Sequence, residues 1–175
     1  FRPQIETKPY VTSWTDSARS PETLTIPTAG VLNPQEGTVE CWVYINSYLQ
    51  TTSTYPRVFQ VLGQTAGEFR LNAGPNQAWQ VFVSDSTISK SIIVHTSLSL
   101  DWHYFAVSWQ GSSMKLFIDG SLRGSLTDIS MPQSFAPNMV IGDWTIIPGT
   151  RALNSLIDDL RISSRARTDE EIAQA

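Results

Sequence analysis

Between Gly37 and Asn46 apolar and polar residues alternate one for one. Val39, Cys41, Val43 and Ile45 fall on one phase; Thr38, Glu40, Trp42 and Tyr44 fall on the other. A period of two belongs to a β-strand. The first set is expected to face a core and the second the outer side of the same sheet. The same reasoning predicts strands over Arg57–Leu62, Glu68–Asn72, Ala78–Ser84 and Ser91–Thr96, punctuated by Gly63, Gly67 and turns at residues 73–76 and 84–86. Three more follow at Trp102–Trp109, Met114–Ile118 and Ser121–Ser125. Residues 110–113 form the first turn between them, and Asp119-Gly120 is a hairpin turn of the kind that needs positive φ at both central positions.

The ends of the chain are less regular. In Glu22–Pro27, Leu24 and Ile26 alternate with threonines, and Pro27 marks a strand end or an edge strand. A strand is also expected near Tyr10–Trp14, the rest of residues 1–20 reading as linker or edge strand. Downstream, Phe135–Asn138 reads as a loop, Met139–Trp144 as a strand, Pro148-Gly149 as a turn and Ala152–Ile162 as a last strand. Thr168-Asp169-Glu170-Glu171 is a capping-box pattern opening a short helical tail. About a dozen short strands with almost no helical period imply an all-β fold, a two-sheet antiparallel sandwich. No internal repeat interrupts residues 1–175, so a single domain is expected.

Composition narrows the function. Charged residues make up 16% of 175, with a formal net charge of −4. No basic run is present, which argues against nucleic acid as a partner. No apolar run reaches membrane-spanning length. Cys41 is the one cysteine; inside an apolar run it reads as a buried thiol rather than a nucleophile. The chain starts at Phe1 without a visible leader, and is expected to be a piece of a larger protein.

Five segments in order carry a family resemblance: Gly37–Val43, Trp102–Trp109, Lys115–Gly120, Ile141-Gly142, and Leu156–Ile162 followed by Arg165–Ile172. The sequence resembles the laminin G-like, concanavalin A-like jelly rolls over roughly residues 20–175. The resemblance implies two curved sheets of about six or seven strands with one concave face. It also implies a place among lectins, carbohydrate-binding modules, adhesion domains, some glycoside hydrolases and phage-tail or virion proteins. From relatives that hold an edge Ca²⁺, it implies metal ligands at Asp158 and the Gly37 carbonyl, with Asp16 or Glu22 as a further candidate. Fold alone does not fix function.

Catalytic patterns are sparse. A glycoside hydrolase needs two facing carboxylates, and Glu40 stands alone on its strand. No Gly-X-Ser-X-Gly occurs for a serine nucleophile, and one cysteine with two histidines does not make a zinc site. His103 reads as structural and Asp119 as a turn residue. What remains is aromatic and polar: Trp42, Tyr44, Tyr104 and Trp79 as stacking platforms, with Trp109 and Trp144 near strand ends. Glu40, Arg70, Asn72, Gln77 and Gln80 would take sugar hydroxyls. The loops Tyr48–Tyr55 and Ile146–Thr150 are candidates to wall such a face. The leading expectation is a non-catalytic glycan-binding or adhesion module of an extracellular, cell-surface or virion protein, not inserted in a membrane. A structural or protein-interaction domain of a phage tail or surface assembly is the alternative, with a hydrolase third.

Overall fold

A computed structural model describes residues 24–46, 55–147, 151–153 and 155–175. The strand expected near Tyr10–Trp14, residues Asp16 and Glu22, and most of the two wall loops lie outside these. Eleven strands and one helix follow in order: β1 (Leu24–Pro27), β2 (Glu36–Ile45), β3 (Arg57–Gly63), β4 (Glu68–Ala73), β5 (Ala78–Ser84), β6 (Ser89–His95), β7 (Trp102–Gln110), β8 (Ser113–Ile118), β9 (Ser121–Leu126), β10 (Phe135–Ile141), β11 (Ser155–Ser163) and α1 (Asp169–Ala173). They form a six-stranded sheet, β1-β10-β3-β4-β5-β6, and a five-stranded sheet, β11-β2-β7-β8-β9. Every pairing is antiparallel. The result is the two-sheet jelly-roll sandwich with a short C-terminal helix that the sequence implied.

Alternation decides what lies between the sheets. Val39, Cys41, Val43 and Ile45 are all buried in the core, on the phase expected of them. Opposite, the Phe69 ring packs edge-on against Phe59 and Trp109, each 5.1 Å away between centroids. Burying each such ring contributes about 1.5–3 kcal/mol relative to exposure. Gly37 belongs to this packing: a Cβ there would sit 2.4 Å from the Trp109 ring. Burial pushes the Cys41 thiol up to about 12, with the adjacent Glu40 charge second. That is the inert thiol expected.

Turn chemistry behaves as the sequence indicates. Asp119 and Gly120 have φ of 51° and 70°, the two positive values of a type I′ hairpin. β1, which carries Pro27, is an edge strand. The expected loop at Phe135–Asn138 is a correction. It forms the first half of β10, paired to β3 through a bulge between Phe135 and Met139. Pro and Asn there are tolerated because the irregular ladder needs fewer donors. The strand then ends at Ile141, short of the expected Trp144, because Gly142 turns the chain with φ of 77°.

Candidate functional site

The two outer faces of the sandwich are built differently. On the five-stranded sheet the C-terminal tail folds back over β2, β7 and β8. Thr168 caps α1: its Oγ1 accepts from Glu171 N, and Glu171 Oε2 accepts from Thr168 N. Ile172 is fully buried with Tyr104, Ala106 and Phe117. Glu40 is 2% exposed. Both its oxygens accept from Arg167 Nη1 at 2.6 Å, and Oε2 also accepts from the Tyr104 hydroxyl at 2.7 Å. Arg167 in turn donates Nη2 to the Glu171 carbonyl at 2.8 Å. The bond to Glu40 raises the Arg167 pKa further above its ordinary value, and burial raises that of Tyr104.

This closure bears on several expected ligand residues. Glu40 and Tyr104 lie on the outer phase as the alternation required, but the tail seals them and takes their polar atoms. Glu40 is therefore closed off from solvent with both its oxygens partnered. Trp79 needs a plainer correction. Like Val81 and Val83 on its phase, it points between the sheets, with its ring 4.3 Å from Phe105. Beyond the tail, Trp42 and Tyr44 stay half-buried. Trp42 tilts against Tyr104 at 5.6 Å, and Tyr44 against Trp102 at 5.5 Å. Register places Leu156, Tyr44 and Trp102 in one row across three strands. Leu156 is 57% and Trp102 37% exposed, so this row is an open apolar stripe.

The implied calcium ligands do not converge. Asp158 pairs with Trp42, whereas Gly37 pairs with Trp109, five residues further along β2. At about 3.4 Å per residue the two are roughly 17 Å apart along the strand. Asp158 Oδ1 instead accepts from Asp159 N at 2.8 Å, inside a bulge where Asp159 takes φ of 50°. Asp159 pairs with Arg161 at 2.5 Å. Among the described residues no group of three metal-ligating side chains gathers. Asp158 and Gly37 therefore do not meet at one ion, and Asp16 and Glu22 lie outside the described residues.

A hydroxyl–imidazole–carboxylate chain does form. Asp119 Oδ2 lies 2.8 Å from His103 Nδ1, and His103 Nε2 lies 3.1 Å from Ser99 Oγ. Nε2 is equally close, 3.2 Å, to the carbonyl of the same serine, and Asp119 Oδ1 accepts from Tyr104 N. Each atom has a local partner, and together they tie the β6–β7 connection to the β8–β9 turn.

The outer face of the six-stranded sheet has no such cover among the described residues. Its rows are polar. Asn72 Nδ2 donates to Gln80 Oε1 at 3.3 Å, and Arg70 Nε donates to Asn72 Oδ1 at 3.1 Å. Arg70 Nη1 and Gln60 Nε2 both donate to Glu68. Gln60 Oε1 accepts from Thr145 N and Oγ1 at 3.1 Å. The Arg70 guanidinium lies over the Phe82 ring at 3.8 Å, and Arg151 over Trp144 at 4.2 Å. An open cleft of about 380 Å³ runs here, walled by Trp144 and the exposed Ile146, with Arg57, Arg70, Arg151 and Glu68 in its lining. The sequence pattern does not single out Arg57 or Arg151. The available signal was Arg57 itself, a charge heading the buried run Val58–Val61.

A bulge places Arg57. Arg57 pairs with Asn72 and Gln60 with Arg70, the register slipping in between. Three residues apart, Arg57 and Gln60 would normally point to opposite faces. The extra residue returns both to the outer face.

Comparison with known proteins bears on the whole domain. A family model described as Concanavalin A-like lectin/glucanases superfamily matches residues 19–173. Comparison with curated proteins by sequence finds no match. Among solved structures, the chain resembles a SAP-like heptameric pentraxin from Limulus polyphemus (TM-score 0.64, 15% identity, 91% of this chain and 76% of that one). It also resembles domains LG4-5 of the mouse laminin alpha1 chain (0.67, 12%, 86% and 41%). A third likeness is the binding domain of botulinum neurotoxin serotype D (0.62, 21%, 87% and 42%). The chain thus spans less than half the length of the laminin and toxin chains. At these identities the likeness is one of fold.

Proposed function

The chain belongs to the concanavalin A-like lectin/glucanases superfamily, and from that premise we propose that it is a non-catalytic glycan-binding or adhesion module of a larger extracellular, cell-surface or virion protein. We assign its ligand to the outer face of the six-stranded sheet. The observation that carries this reading is the cleft between Trp144 and Arg70. It joins an aromatic wall to amide and guanidinium groups fixed by neighbours. Rings cover the apolar face of a sugar while fixed polar groups meet its hydroxyls. Glu40, buried under Arg167 and Tyr104, leaves no acid and nucleophile pair on the opposite face. Resemblance in fold to a laminin pair, a pentraxin and a toxin binding domain supports a binding role.

The test is a screen of immobilised neutral and acidic glycans at millimolar site density, with Trp144→Ala and Tyr44→Ala as paired variants. We expect Trp144→Ala to lower binding by about tenfold, the weight of one stacked ring and its cation partner. Tyr44→Ala should leave it within about twofold. Absence of binding to any glycan would remove this reading.

A second reading rests on the stripe of Leu156, Tyr44 and Trp102 on the other face. Apolar rows of this kind mark contacts with protein neighbours, as in a tail or surface assembly. It gains if Tyr44→Ala alters assembly with flanking domains while every glycan fails.

A further inference from the structure

Arg57 is 2% exposed, and its Nε and Nη1 are buried without a hydrogen-bond acceptor among the described residues. Those two atoms carry three of the five guanidinium N–H groups. Buried donors of a charged group are ordinarily paired, because leaving them bare costs the full desolvation of the charge. The neighbours do not supply the missing oxygen. Arg70 spends its Nε on Asn72 and its Nη1 on Glu68, and Arg151 faces Trp144. Three guanidiniums and one carboxylate line the cleft. Even with the adjacent buried Asp143, whose Oδ1 accepts from Trp144 N, cations outnumber carboxylates three to two. This happens in a chain whose net charge is −4.

The crowding has an electrostatic signature. Burial, then the charges of Arg57 and Arg151, push the Arg70 guanidinium down to about 9; burial and Arg151 push Arg57 down to about 10. An arginine keeps its proton through the whole range in which proteins fold, so these shifts express unrelieved repulsion and desolvation. An anion between the three groups would relieve both.

We infer that Arg57, Arg70 and Arg151 form an oxyanion-binding subsite, and that the glycan held in the cleft is acidic, presenting a carboxylate or sulfate to it. The choice of a glycan rests on the function proposed above; the anion subsite does not. Guanidinium forks are the groups that match the oxygens of carboxylate and sulfate. Glu68, held by Arg70 and Gln60, positions Arg70 and sets a repulsive edge that the acidic group must clear.

Calorimetric titration with a uronate-terminated tetrasaccharide, a sulfate-bearing analogue and the neutral sugar of equal length tests this. A parallel melt in inorganic sulfate against chloride at matched ionic strength probes the subsite alone. We expect at least one acidic sugar to bind about tenfold or more tighter than the neutral one, and the preference to shrink as salt rises. The arm that binds tells carboxylate from sulfate. Arg151→Gln, at a partly exposed position, should bring the preference within about threefold. Glu68→Gln should widen it. Arg57→Met should abolish it together with any sulfate-induced rise in Tm. Equal binding of acidic and neutral sugars overturns the anion inference and leaves the glycan reading standing, as does a preference that survives Arg151→Gln. A sulfate-induced rise in Tm lost in Arg57→Met, with every sugar inert, upholds the subsite and removes the glycan reading. Silence toward sulfate and all sugars removes both.

Discussion

Two buried charges, Glu40 and Arg57, sit on opposite outer faces of one sandwich, and they are solved in opposite ways. On the five-stranded sheet Arg167 covers Glu40, and Tyr104, Thr38 and the Glu171 carbonyl complete the set. On the six-stranded sheet Arg57 is as deeply buried as Glu40, yet its Nε and Nη1 find no acceptor among the described residues. A buried ionic group that is fully partnered from within the chain holds the fold together. One that is left short keeps donors open to a partner from outside the chain. The contrast separates structure from function more sharply than exposure does, since both groups are hidden.

The largest effect is expected where the closed face is opened. Arg167→Ala leaves the buried Glu40 carboxylate without its cation, a loss of about 3–5 kcal/mol. Urea unfolding measures it. If Glu40→Gln in the same background restores much of that loss, the charge is the cause. Ile172→Ala comes next, at about 2–4 kcal/mol, from the cavity it leaves under α1 against Phe117 and Tyr104. A loss below about 1 kcal/mol would mean that the helix is only loosely seated. Thr168→Ala removes the cap and is expected to cost about 1 kcal/mol.

Acid acts on the same face with a definite sign. The bond from Arg165, then that from the Thr168 N–H, holds the Glu171 carboxyl down at about 2 in the folded chain, against 4.5 for the free side chain. A carboxyl depressed on folding gives stability that is present above about 4.5 and lost as pH falls from there through about 2. The effect is small because the group is exposed and screened. The stability of Glu171→Gln should be flatter than that of the native chain across this window. An identical slope would remove Glu171 from the tail's anchoring.

Much of the architecture was legible because it rests on period and turn chemistry. The β2 alternation assigned Val39, Cys41, Val43 and Ile45 to the core. The Asp119-Gly120 pair marked its hairpin, and Thr168 to Glu171 the helix start. What alternation cannot see is a slip in register. The bulge at Phe135–Met139 hid half a strand behind Pro137 and Asn138, and the bulge after Arg57 put that residue beside Gln60. Phase also says nothing about what later covers a face. Glu40 and Tyr104 lay on the outer side as expected, but Arg167 and Ile172 arrive from more than 60 residues away and close over them. Trp79 was assigned to the wrong phase, although Val81 and Val83 on the same phase already pointed inward. Asp158 and Gly37 came as metal ligands from the resemblance alone, and the strand register separates them.

The most direct measurement is the unfolding free energy of Arg57→Met in anion-free buffer. Exchanging a buried, under-partnered cation for an apolar chain of similar length removes a desolvation cost and few bonds. We expect a stability equal to or above that of the native chain, with sulfate no longer raising it. A loss of several kcal/mol, like that of Arg167→Ala, would show that Arg57 is a structural group and that this face holds no anion site.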